Sequence, residues 1–147
     1  MDIRGYQHAD EAAVVRLWEE CDLVRPWNDP HKDIQRKLTV QPELFLVGLL
    51  DGGVMASVMA GFDGHRGWVN YLAVAEPYRR RGLGRALMGR VEEMLKARGC
   101  PKLNMQIRST NAAVLAFYER LGYTQDQTVS LGKRLIPDDE VSGRGDR

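Results

Sequence analysis

Three consecutive arginines, Arg79, Arg80 and Arg81, run into Gly82-Leu83-Gly84 and Arg85 within the stretch "AVAEPYRRRGLGRALMGRV", residues 73–91. The apolar run before them reads as a strand and the segment after Gly82 as a helix, so the arginines occupy a strand-to-helix turn. Unpaired N–H groups and the helix dipole attract an anion at such a turn. Glycine at 82 and 84 removes side chains that would hold a phosphate away from the backbone. Two familiar phosphate patterns fail here. The third glycine of the dinucleotide motif falls at Leu87, and after Gly84 and Gly89 the triphosphate loop would require Lys and Ser or Thr where Arg90 and Val91 stand. On pattern alone, a solvated basic turn without a ligand explains the stretch as well as a phosphate cradle does.

Bulk composition narrows the partners. With 147 residues, 44% of them hydrophobic, the chain suits one domain with a real core. Twenty-one basic residues against twenty acidic ones give a net charge of +1, which argues against a polyanion held by bulk charge. No aromatic–basic interleaving accompanies the arginines, so no nucleic-acid partner is expected; contact with generic duplex would show as steep salt dependence. Cys21 and Cys100 lie apart in apolar surroundings, which favours free thiols over a disulfide or zinc framework, and no metal is expected. The longest apolar run, "LFLVGLL" at 44–50, is too short to span a bilayer, and "MDIRGYQHADE" has no signal core. A soluble, cytoplasmic protein without a membrane partner is the expectation.

The elements that must position the turn alternate between strand and helix. "DIRGY" at 2–6 reads as an edge strand, and Val14, Leu17, Trp18 and Cys21 recur at helical spacing after Asp10, which is placed to cap that helix. A shorter helix is expected from about Asp33 to Leu38, beyond the turn-forming "LVRPWNDPHKD". "LFLVGLL" and "VMASVMAGF" flank the hairpin signal Asp51-Gly52-Gly53, and "WVNYLAV" extends them into an antiparallel meander. Leu83, Leu87, Val91 and Leu95 mark one face of the next helix, which Gly99 and Pro101 end. "KLNMQI" then makes a parallel crossover strand, "TNAAVLAFYERLG" a last helix and "TVSLGKRLI" a last strand. The end of the chain, residues 137–147, is polar and expected to be mobile.

The stretch "VAEPYRRRGLG" resembles the pyrophosphate loop of the GNAT superfamily of acyl-CoA-dependent N-acetyltransferases, matching it at Arg79, Gly82 and Gly84. "NAAVLAFYERLGY" resembles that family's second motif at Asn111, Tyr118, Gly122 and Tyr123. The resemblance extends to about Ile136 and implies one α/β domain over residues 1–136. Its mixed, mostly antiparallel sheet would have about six or seven strands, splayed between strands 4 and 5 and flanked by about four helices. It further implies acetyl-CoA as cosubstrate and an amine acceptor, either a small molecule or a protein amine. A homodimer along the last strand is left open.

By that resemblance, backbone N–H groups from about Arg80 to Arg85 hold the pyrophosphate, with Arg79, Arg80, Arg81 and Arg85 in reach of the phosphates and Leu83 within the turn. The edge at Leu72, Ala73 and Val74 pairs with the pantetheine arm as a further strand would and supplies an N–H to the tetrahedral intermediate. Asn111 contacts the cofactor or caps its helix, and Tyr118 is the general acid for the CoA thiolate; the alternative for its ring is a core aromatic. A protonated amine of pKa 10.4 is about 3.4 units above neutral pH, so baring its lone pair costs roughly 4.6 kcal/mol. Yet "WVNYLAV" and "KLNMQI" contain no acid to take that proton. Asp63, His65 and Glu43 are candidate relays, while Trp27, Asp29 and Asp33 are candidates to receive the acceptor. A non-catalytic acyl-CoA sensor is the alternative that the missing strand carboxylates favour.

Overall fold

Apolar residues dominate three segments joined by two tight turns, and these become the centre of the sheet. In the computed structural model, which describes residues 1–138, the strands are β1 (Asp2–Gly5), β2 (Phe45–Leu50), β3 (Gly53–Phe62), β4 (Gly67–Val74) and β5 (Leu103–Met105). They lie in that order across one sheet; the first four are antiparallel and β5 joins parallel to β4. The helices are α1 (Glu11–Glu20), α2 (Pro30–Lys37), α3 (Leu83–Ala97) and α4 (Ala112–Arg120). At the β2–β3 turn Asp51 and Gly52 both take left-handed backbone, with φ of 51° and 79°, as the Asp-Gly signal requires.

Alternation along the strands feeds two cores. Leu46, Val58 and Val69 pack against Leu87, Met88, Val91 and Leu95 of α3, with Tyr118 of α4. On the opposite face Phe45, Val47 and Met59 meet Val14, Leu17 and Trp18 of α1 and Ile34 of α2. Because β2 is covered on both faces, its sequence is an unbroken apolar run rather than an alternating one. Asp10 stands at the start of α1 without capping it; its carboxylate instead accepts from Arg4 at 2.7 and 3.0 Å and from the Gln7 N–H at 2.8 Å.

Among the described residues the sheet has five strands, not six or seven. The segment read as a last strand, 128–136, forms no strand, and Val129, Leu131 and Leu135 are 83–91% exposed. Its alternating pattern suits a strand, but β5 is only three residues long and offers a short edge. Side chains span the gap instead: Lys102 and Asn104 reach Asp126 at 2.9 and 2.7 Å, and Gln106 reaches Ser130.

At Asp138 the chain docks on the start of α2. The carboxylate accepts from the Asp29 N–H at 2.8 Å and from the Arg36 guanidinium, while Lys32 donates to the Asp138 carbonyl at 2.8 Å. Of the tail expected at 137–147, Pro137 and Asp138 are described, and 139–147 lies outside the described residues. Burial alone would raise the Asp138 carboxyl, but the hydrogen bonds from Arg36, the Asp29 amide and Arg134 outweigh burial and lower it to about 2. Its stabilising contribution is therefore complete above the unfolded value near 3.8 and is lost as pH falls towards 2. Urea titrations should find Asp138→Asn less stable by about 2 kcal/mol at neutral pH, with the gap to the natural chain closing between about pH 4 and pH 2.

Candidate active site

Only Gly67, Trp68 and Val69 of β4 pair with β5, opposite Leu103, Asn104 and Met105. Beyond Val69 the second edge of β4 has no strand partner. Its pairing with β3 also slips there: Asn70 faces Met59 and Ala73 faces Ser57, so Tyr71 and Leu72 together oppose Val58. Tyr71 takes a left-handed φ of 55°, an unusual conformation for a bulky residue. A buried network holds it in place. Trp18 stacks on the Tyr71 ring at 3.8 Å, and its Nε1–H donates to Ser57 Oγ at 2.9 Å. Ser57 Oγ in turn donates to the Tyr71 carbonyl at 3.2 Å. The Tyr71 hydroxyl donates to Asp33 Oδ2 at 2.6 Å, and burial together with that carboxylate pushes its pKa well above the usual phenol range.

A groove of about 720 Å³ opens on the free edge of β4. Leu72, Ala73 and Val74 form one wall, and Arg79, Arg80, Gly82, Leu83, Gly84 and Arg85 form the end towards α3. Gly82 precedes α3 with a φ of 80°, and no side chain caps the first turn, which leaves its N–H groups available to an anion. The three arginines have separate roles. Arg79 is tied inward, donating through Nε to the Val74 carbonyl at 2.8 Å and through its guanidinium to Cys21 Sγ at 3.4 Å. Arg81 is the one predicted cofactor residue between 79 and 85 that does not line the groove; its guanidinium lies 5.3 Å from the Tyr78 ring centre. Arg80 faces the groove from a left-handed φ of 64°. Gly84 is required by packing as well: a Cβ there would stand 2.9 Å from the ring of Phe117.

Tyr118 lines this groove and also a second, adjoining cavity of about 800 Å³ bordered by α2, β4 and the end of β5. Leu72 and Asn111 border both. The Tyr118 ring is 6% exposed, held edge-on between Phe117 and Tyr123, and burial raises its hydroxyl to about 12. It is therefore protonated across the physiological range. Asn111 caps α4, its Oδ1 accepting from the Val114 N–H at 3.2 Å. An unpaired strand edge, an open helix N-terminus and a protonated phenol thus converge where two cavities meet.

Residues 12–123 match the model of the acetyltransferase (GNAT) family. The chain belongs to that family. It is 54% identical over 140 residues to an acetyltransferase of Yersinia enterocolitica, covering 95% of this chain and 99% of the relative. The fold is shared with the aminoglycoside antibiotic 6'-N-acetyltransferase of Acinetobacter haemolyticus, at a TM-score of 0.71 and 18% identity over 92% of this chain and 99% of that one. The ribosomal-protein-S18-alanine N-acetyltransferase of Escherichia coli superposes with a TM-score of 0.70 and 24% identity, covering 85% of this chain and 78% of that one. The protein is accordingly an acyltransferase of the GNAT family.

In this GNAT domain the candidate relays lie away from both cavities. Asp63 is held in its turn by the His65 and Arg66 N–H groups at 2.8 and 2.7 Å, and Glu43 pairs with Arg98 at 3.2 Å. Among the acceptor candidates, Asp29 caps α2 and Trp27 is 37% exposed outside the cavities, whereas Asp33 lines the second cavity. The sequence reading missed Trp18, Ser57 and Tyr71 as positioning residues. Trp18 reads as ordinary core, and nothing in "WVNYLAV" signals a left-handed tyrosine. Among the described residues, no cluster of three or more His, Cys, Asp or Glu side chains could hold a metal, and no helix is long and apolar enough to cross a membrane. Ser57→Ala leaves the fully buried Trp18 Nε1–H unpaired, so chemical denaturation should register a loss of about 1–3 kcal/mol.

Proposed function

We propose that the protein transfers the acetyl group of acetyl-CoA to an amine by direct attack in a ternary complex, with Tyr118 as the acid for the departing thiolate. The observation that carries this reading is the placement of Tyr118 between the groove at the α3 N-terminus and the cavity beyond the parted strands. The pyrophosphate lies against the first N–H groups of α3, with Arg80 and Arg85 outside it. The pantetheine arm follows the free edge at Leu72, Ala73 and Val74, and this brings the thioester to the parting of the strands.

The acceptor enters from the second cavity, where Asp33 is the half-buried carboxylate able to hold its ammonium. Once deprotonated, the nitrogen attacks the acetyl carbonyl carbon, and a free N–H of the β4 edge stabilises the resulting oxyanion. The C–S bond then breaks with its electron pair leaving on sulfur. Starting from the ammonium, nitrogen loses two protons, one to water before the attack and one after it, while sulfur gains one, so the exchange balances with one proton released to water. Complete proton transfer from a phenol of about 12 to a thiolate of about 8.5 would be uphill by roughly 5 kcal/mol. Tyr118 therefore acts as the acid while charge develops on sulfur, its proton moving in concert with C–S cleavage, and the proton that the attacking nitrogen releases restores the phenol.

Calorimetry should find saturable acetyl-CoA binding that Arg80→Glu weakens about tenfold or more; a folded chain that binds none contradicts the reading. In steady-state assays Tyr118→Phe should lower kcat about 100-fold while acetyl-CoA affinity stays within about twofold. Because Tyr118 stays protonated until about 12, kcat/KM should rise with pH as the amine deprotonates, with no falling limb below about pH 10.

A further inference from the structure

The chain as a whole carries a net charge of only +1, yet the cavity on the acceptor side concentrates cations. Arg25, Arg36, Lys37 and Arg108 line it against two carboxylates, Asp22 and Asp33. Arg36 is matched by Asp33 at 3.2 Å and by Asp138. Arg25 approaches Asp22 at 3.3 Å, but that carboxylate is 91% exposed and well hydrated. Lys37 is spent on a backbone contact, donating to the Ala60 carbonyl. Arg108 remains: it lies on the exposed connection between β5 and α4, and its guanidinium has neither a carboxylate nor a hydrogen-bond partner among the described residues.

We propose that the acceptor is an amine that also carries an anionic group, a carboxylate or a phosphate, bound by Arg108 and the cationic wall while the amine faces the thioester. This rests on the acetyl-transfer reading above and names the substrate class for it. Arginine presents a planar pair of donors that match either anion. Asp33, whose oxygens retain free lone pairs beside Tyr71 and Arg36, receives the ammonium at the other pole. The same wall repels a polycationic amine, which gains one contact at Asp33 and meets a surplus of like charge elsewhere.

The test compares acceptors in matched pairs under saturating acetyl-CoA, following release of the CoA thiol. Alanyl-alanine is set against its carboxamide, phosphoethanolamine against ethanolamine, and spermidine serves as the polycation. The anionic member of at least one pair should have a kcat/KM about tenfold or more above its neutral mate and above spermidine. The pair that responds identifies the anion as carboxylate or phosphate. Arg108→Glu should collapse that ratio while acetyl-CoA affinity, measured by calorimetry, stays unchanged and reports an intact fold. Preference for the neutral mates or spermidine overturns the proposal, as does an unchanged ratio in Arg108→Glu. So does a failure to turn over either anionic amine in a protein that binds acetyl-CoA. A chain that binds no acetyl-CoA fails one step earlier, and the acetyl-transfer reading falls with the proposal.

Discussion

The parting of β4 from β5 after three residue pairs is the constraint on which the rest of the site depends. A fully paired β4 would have both edges closed and no way to receive an extended ligand. Instead its far half carries unused backbone groups on one edge, and both cavities are lined by its residues. The bulge at Tyr71 and Leu72 changes the direction of β4 where the pairing stops. Left-handed backbone at a tyrosine is costly, about 1–3 kcal/mol, and the Trp18 stack and the Ser57 hydrogen bonds hold the residue there from inside the second core. The packing of α1 against the sheet is therefore part of the site's architecture, although α1 contributes none of its own residues to either cavity.

The three arginines of the turn divide the tasks that the sequence presents as one cluster. Arg79 fastens the turn to the end of β4, Arg81 lies over Tyr78, and Arg80 faces the groove. The flanking glycines divide in the same way. Gly82 supplies the left-handed backbone before α3, while Gly84 lets Phe117 of α4 press against α3. Phe117 also sets one side of the Tyr118 ring, so the close contact between α3 and α4 couples the turn before α3 to the phenol.

Much of this was legible in the sequence because the signals are local. The Asp51-Gly52 turn, the stops at Gly99 and Gly122 and the stripe along α3 each depend on residues a few positions apart, and the structure has left-handed backbone at all four of those turn residues. Non-local pairing was harder to read. Val129, Leu131 and Leu135 alternate as a strand should, but a strand needs an edge, and β5 ends after Met105 where the longer "KLNMQI" was expected to continue. The bulge was missed for a related reason. Its cause is the tertiary contact with Trp18 and Ser57, while tyrosine itself favours ordinary extended backbone. The cation-rich cavity was hidden as well, since Arg25, Lys37 and Arg108 come from separate segments of the chain and meet only in the fold.

The electrostatic layout follows from the same parting: an open helix N-terminus with arginines on one side, a cation-rich cavity on the other and a buried, protonated phenol between them. The proposed site requires an extended, phosphate-bearing cofactor on the free edge of β4. Backbone hydrogen exchange with and without CoA tests it most directly, because exchange reports protection amide by amide. Slowed exchange confined to the β4 edge at 72–74 and the turn at 80–85 is expected. Unchanged exchange in both stretches at saturating CoA, or protection centred on the opposite cavity, would contradict it.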